Sequence, residues 1–169
     1  MKKLLLLFSI ILVSVSIGSA QKYGHLNFGN LLSAMPETKA ADKTLEEYQK
    51  QLVAKGEKMA SDFQKKVTDY YDQVQAGDLA PKEQADLEKA LQKQQTDIQA
   101  YEQEVSQKIQ EKRNELLQPI MEKAQNAINS VAKDQGYIMV FDSSVFNAIL
   151  FAEESEDIMV FVAAKLGLN

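Results

Sequence analysis

Cysteine is absent from the 169 residues. That absence excludes a disulfide framework, a thiolate metal site and a cysteine for lipid attachment. Glycine occurs seven times and proline three, so few positions can interrupt a helix-forming run. Histidine occurs once, as His25. There is no glycine-rich phosphate loop and no metal-ligand spacing. Cations are outnumbered, 19 Lys and Arg against 24 Asp and Glu, and such a surface makes nucleic acid a poor partner.

The chain opens MKKLLLLFSIILVSVSIGSAQ, with Lys2 and Lys3 ahead of an apolar run from Leu4 to Ile17 and small residues at Gly18 and Ala20. This pattern predicts an export signal cut after Ala20. The run is shorter than the roughly 20 residues that a spanning helix needs. Without Lys2 and Lys3, 17 cations face 24 carboxylates, a net charge of −7. The remaining 149 residues suit one ordinary domain.

Three zones follow. Tyr23 to Met35 starts as an extended run through Phe28 and ends in a short apolar turn before Pro36. Glu37 to Gln118 is rich in Lys, Glu, Gln and Ala, interrupted by Gly77, Asp78 and Pro81. From Gly136, YIMVFD and VFNAILFA are short apolar runs separated by turn residues, and EESEDIMVFVAAKLGLN predicts a closing amphipathic helix.

The middle zone repeats every eleven residues, at Ala41, Leu52, Phe63 and Val74, then at Leu87, Ile98, Ile109, Ile120 and Val131. Leu45, Tyr48, Gly56, Met59, Val67 and Tyr70 fill the first series at 4-3-4 steps. Eleven residues in three turns is about 3.67 per turn, close to an unstrained helix. Each segment is therefore a long helix with one apolar stripe, which must find a partner. Gly77 can close one helix in the left-handed conformation and Pro81 suits the first turn of the next. The arms on either side, 37–76 and 81–118, are nearly equal, which predicts a hairpin with its tip at 77–81. Pro119 lies inside the helical stretch NELLQPIMEKAQ, where proline costs about 3 kcal/mol unless a bend relieves it; a kink is expected there, where the arm meets the body.

The expected fold is mainly α with a small β body. The helical hairpin is inserted between strands of an oligomerising domain formed by residues 21–36 and 119–169. A body of that size is too small for a comfortable core. YIMVF and ILF are apolar on both faces, which suggests strands covered on both sides and hence a body shared among copies.

Chemistry is sparse. His25 could be paired with Ser143 or Ser144 and Asp142 as a Ser-His-Asp set, but no glycine-flanked nucleophile supports this, and a polar-face or interface histidine is the preferred reading. Glu46/Glu47, Glu102/Glu104 and the run Glu153 to Asp157 offer no informative pair; the first four sit among lysines on exposed helix faces and the last precedes a helix, complementing its dipole. No catalytic, cofactor or metal residue is assigned. What remains is apolar surface beyond the seam: Tyr71, about 100° around the helix from the stripe residue Tyr70, together with Leu79, Tyr48, Phe63 and Tyr101. With Tyr70 itself they make six candidate contacts for a loosely held ligand.

The order of HLNFGNLLSAMPE, a long Lys/Glu/Gln hairpin, LLQPI, VAKDQGYIMVFD and DIMVFVAAKLGL resembles the OmpH/Skp family of periplasmic chaperones over nearly all of the mature chain. The resemblance implies a trimer whose body strands associate centrally, with helical arms around a cavity that holds unfolded outer-membrane proteins without ATP. It implies body or subunit-contact residues at Leu26, Phe28, Ile138, Val140 and Phe141. The well-known members are strongly basic, whereas this chain is acidic, so no lipopolysaccharide or membrane site is carried over and membrane-surface contact is left open. The leading expectation is an ATP-independent holdase. A structural coiled-coil tether or adaptor of the envelope is the alternative, and it predicts a defined folded partner.

Overall fold

The computed structural model describes residues 21–168; the expected export signal lies outside them. The chain divides into two compact units, residues 21–32 with 124–168, and residues 33–123.

The first unit is built on β1 (Lys22–Leu26) and β2 (Tyr137–Asp142), which pair in parallel from Tyr23 opposite Met139 to Leu26 opposite Asp142. The long chain between them permits parallel pairing, which a tight turn could not. Helix α1 (Phe28–Ala34) starts directly after β1. Asn27 caps it, its Oδ1 accepting from the Asn30 amide at 2.8 Å. Asp142, at the end of β2, accepts from the amides of Phe28 and Ser144 at 3.1 and 2.8 Å and from the Ser144 hydroxyl at 2.8 Å. One carboxylate thus ties the end of β2 to the start of α1. Burial raises its pKa, but the three donors outweigh that and hold it below the ordinary carboxylate value.

Along the other edge of β1, the Ile158 amide donates to the His25 carbonyl at 2.9 Å, and His25 bridges to Asp157. A short 3-10 turn (Glu154–Glu156) and helix α4 (Met159–Leu166) close the unit. Gly167, at φ 72°, ends α4, with the Leu168 amide returning to the Ala163 carbonyl. Leu26, Leu31, Ile158 and Val162 are fully buried, joined by Ala124, Ala127, Ile128, Val131 and Tyr137. Gly24 has no room for a side chain: a Cβ there would lie 3.0 Å from the Tyr137 ring and 3.1 Å from Ile158.

The second unit is an antiparallel pair of helices, α2 (Pro36–Ala76) and the first part of α3 (Pro81–Gln135). Gly77, at φ 75°, closes α2; its own amide and that of Asp78 return to the carbonyls of Val74 and Gln73. Pro81 opens α3, and Glu83 accepts from the Ala80 amide at 3.0 Å, the half of a capping box that needs no side chain on Ala80. The eleven-residue stripe forms the seam, and its cover fades toward the tip. Ala41 and Leu52 are 7% and 8% exposed, Phe63 is half-buried, and Val74 is 37% exposed.

As the stripe at Ile120 and Val131 leads one to expect, α3 runs on through Pro119, and both residues are buried together with Ala124, Ala127 and Ile128. The part of the body expected to be β-rich thus begins with helix over 119–135. One expectation is corrected: VFNAILFA forms turns and bends instead of a strand. Both edges of β1 are occupied, and the outer edge of β2 carries no strand among the described residues.

Candidate functional site

Two surfaces stand out, one on each unit. On the first, a groove of about 920 Å³ lies between β1 and the segment 148–153, with Tyr23, His25, Phe141, Ile149, Leu150 and Phe151 among its walls. Its surroundings are strongly apolar for exposed protein: Phe146, Leu150 and Phe151 are 91%, 89% and 78% exposed. Val145, Val160, Ile138 and Met139 are exposed as well. So much bare apolar area on one unit is the mark of a surface made to be covered.

The expected body contacts sort themselves on this unit. Ile138 and Phe141 are exposed, Val140 and Phe28 are half-buried, and Leu26 is in the interior of its own chain. Leu26, 2% exposed within its own chain, is therefore a body core residue and not a subunit contact. Within the exposed segment 145–151, ILF is expected from its sequence to be covered by other copies, but none of its residues is among the expected contacts, nor are Val145 and Phe146.

His25 lines the groove, and its Nε2 lies 3.0 Å from the Glu153 carbonyl. A carbonyl only accepts, so Nε2 carries the proton and cannot serve as base toward a serine. Ser144 is engaged with Asp142, and the Ser143 amide with the Leu26 carbonyl at 2.9 Å. The Ser-His-Asp pairing considered from sequence is not assembled. Among the described residues no three metal-ligating side chains gather.

On the second unit the six candidate contacts separate. Tyr101 is 5% exposed, with its hydroxyl donating to the Leu52 carbonyl at 3.0 Å and its ring against Gly56. It is a seam residue, and its assignment as a surface contact is corrected, because Gly56 leaves room on the facing helix for a ring to enter. Lys55 sits 4.8 Å over the same ring. Tyr48, Phe63 and Leu79 are half-buried. Tyr70 is half-buried and donates to Glu88 at 2.5 Å; that bond, with burial behind it, raises its pKa. Tyr71 is 65% exposed and meets Tyr70 edge-on, with ring centres 5.5 Å apart.

The shafts of the hairpin are laced with ion pairs within one helix, Glu46–Lys50, Lys58–Asp62, Lys93–Asp97 and Glu104–Lys108. Glu37 and Lys123 pair between the two helices. The hydrogen bond from its lysine lowers the pKa of Glu37, Asp62 and Glu104 alike. No described helix is both long and apolar enough to cross a membrane.

Comparison with known proteins places this architecture. A search of curated proteins finds no match. Among solved structures, an OmpH-like outer membrane chaperone from Caulobacter crescentus CB15 superposes with a TM-score of 0.73 at 16% identity, covering 88% of this chain and 85% of that one. At that identity the likeness speaks for the fold. Residues 22–166 match the family described as outer membrane protein (OmpH-like), a span that takes in both strands and both long helices, and the chain belongs to that OmpH-like family.

Proposed function

We propose that the protein is an ATP-independent holdase of the periplasm, which binds unfolded outer-membrane proteins between its helical arms and prevents their aggregation. Family membership supports the reading. The observation that carries it is the graded seam, which leaves stripe positions progressively uncovered from Leu52 at 8% to Val74 at 37%, with Tyr71 outside the stripe at 65%. Many partly covered apolar positions along a rod offer weak contacts, and several rods acting together turn weak contacts into firm capture. Such a surface needs neither a nucleotide nor a catalytic group, and we assign the chain no enzymatic activity.

The holdase works as a homotrimer, in this proposal, with copies joined through the groove beside β1 and the bare residues Phe146, Leu150 and Phe151. Burying that surface stabilises at roughly 25 cal/mol per Å² of apolar area. Export to the periplasm follows from the segment 1–20. The test is aggregation of an unfolded outer-membrane β-barrel protein, followed by light scattering with and without the mature protein. Suppression at stoichiometric amounts is expected; unaltered aggregation at trimer excess removes the reading. Binding confined to one folded envelope partner, with no affinity for unfolded chains, is the result a tether would give.

A further inference from the structure

Near the tip of the hairpin the two helices part enough to leave a slot of about 270 Å³, floored by Leu87, Ala90 and Leu91 and walled by Tyr70. The bond from Lys66 to Gln94, 3.0 Å long, lies at its shaft end. The slot is smaller than the roughly 300 to 1,000 Å³ usual for small-molecule sites; it has the size of one or two side chains.

Charge around the slot is uneven. Residues 69–88 hold six carboxylates and one cation, Lys82, whereas 37–68 hold seven cations against six carboxylates and 89–123 hold six of each. The acidic excess of the hairpin is thus confined to its tip. No ion pair among the described residues neutralises it, in contrast to the paired carboxylates of the shafts. Beside the slot, Tyr71 presents an open ring, whose face attracts cations.

We propose that this slot is a capture site for one kind of ligand, an apolar side chain flanked by Lys or Arg on an unfolded polypeptide. The apolar group enters between Leu87 and Leu91, and the flanking cation meets the tip carboxylates and the Tyr71 face. Charge complementarity selects this occupant: the lining cation Lys66 is bonded to Gln94, and the six carboxylates of 69–88 favour a cation over an acidic segment. The proposal deepens the holdase reading and rests on it only for the unfolded state of the ligand.

The absence of cysteine allows a single reporter to be placed in the full mature chain, at Gln75→Cys by the tip or at Lys43→Cys on the shaft. The probes are a short disordered peptide of Leu, Tyr, Lys and Arg, a twin with Glu for its cations, and a twin with Ser for its apolar residues. The cationic apolar peptide should move the Gln75→Cys signal and leave the Lys43→Cys signal unchanged; neither twin should bind. Raising salt from about 0.05 M to about 0.3 M should weaken binding, because screening shortens the reach of the rim charges. The combined Asp69→Asn, Asp72→Asn, Asp78→Asn and Asp86→Asn variant, whose altered groups are exposed, should lose about tenfold in affinity, and Leu87→Gln a comparable amount. Equal binding of all three peptides, or unchanged affinity in both variants, overturns the site. Suppression of β-barrel aggregation, measured in parallel, separates the two readings. If suppression fails while peptide capture at the tip persists, the holdase reading falls and the site stands; if suppression persists with capture unaffected by the variants, only the site falls.

Discussion

Gly24 and Gly56 are both glycines inside regular structure, and their neighbours give them opposite roles. A Cβ on Gly24 would press to 3.0 Å against the Tyr137 ring, which is itself pinned by Lys22 at 4.1 Å, and to 3.1 Å against Ile158. Gly24→Ala should therefore destabilise the protein by about 1 to 3 kcal/mol through overpacking. On Gly56 the new Cβ would meet the Tyr101 ring at 3.4 Å, an ordinary contact, within a helix where alanine is favoured over glycine. Gly56→Ala should stabilise by up to about 1 kcal/mol. Urea melts of both variants check the pair, and a loss at both positions would mean that the seam is tighter than its geometry. Sequence alone marked Gly56 as a stripe position, but it offered no sign that Gly24 makes room for a tyrosine 113 residues away in the chain.

At the scale of elements, the hairpin depends on a few cross-helix contacts set in an otherwise modest seam. Tyr101→Phe removes the bond to the Leu52 carbonyl while keeping the ring, and should cost about 0.5 to 1.5 kcal/mol, read as an earlier loss of helicity on heating. The ion pairs of the shafts add a dependence on pH. Glu37, Glu46 and Glu104 have folded pKa values lowered from an ordinary 4.5. Their contribution is present above that value and is lost as pH falls through the lower folded ones. Lys50 and Lys108 are raised from 10.5 by the same partnerships, so their share is present below 10.5 and lost as pH climbs through the higher folded values. Thermal melts should thus be flat between about pH 6 and 9 and fall on both sides, modestly, because exposed pairs are screened by water. A melting temperature that keeps rising below pH 4 would contradict this.

The hairpin was legible because its code is local. Eleven-residue spacing, Gly77 and Pro81 act within a few residues of themselves, and α2 ends and α3 begins where those signals stand. Pro119 does not end α3, because the same spacing carries the stripe past it to Ile120 and Val131.

For the whole molecule, the exposed apolar residues divide unequally between the units. Phe146, Leu150, Phe151 and Val160 all belong to the unit holding the sheet. A body of this kind is expected to associate, and the mature protein should show the mass of an oligomer by light scattering on a sizing column. Replacing Phe146, Leu150 and Phe151 together by Ser should shift it toward the monomer while leaving the far-ultraviolet helical signal in place, since these side chains are 78% or more exposed and hold nothing in their own chain. A native protein that already runs as a monomer at micromolar concentration would remove the expected assembly.

The sequence by itself determined the two long helices, their common stripe, the position of the tip and the acidic excess there, because each of these is written in spacing and charge over neighbouring residues. Only the tertiary structure decided that the two strands run in parallel, that Tyr101 turns inward onto Gly56, that VFNAILFA stays unpaired and that Leu26 is core. Each of those depends on which distant segment arrives alongside, and on the space it leaves.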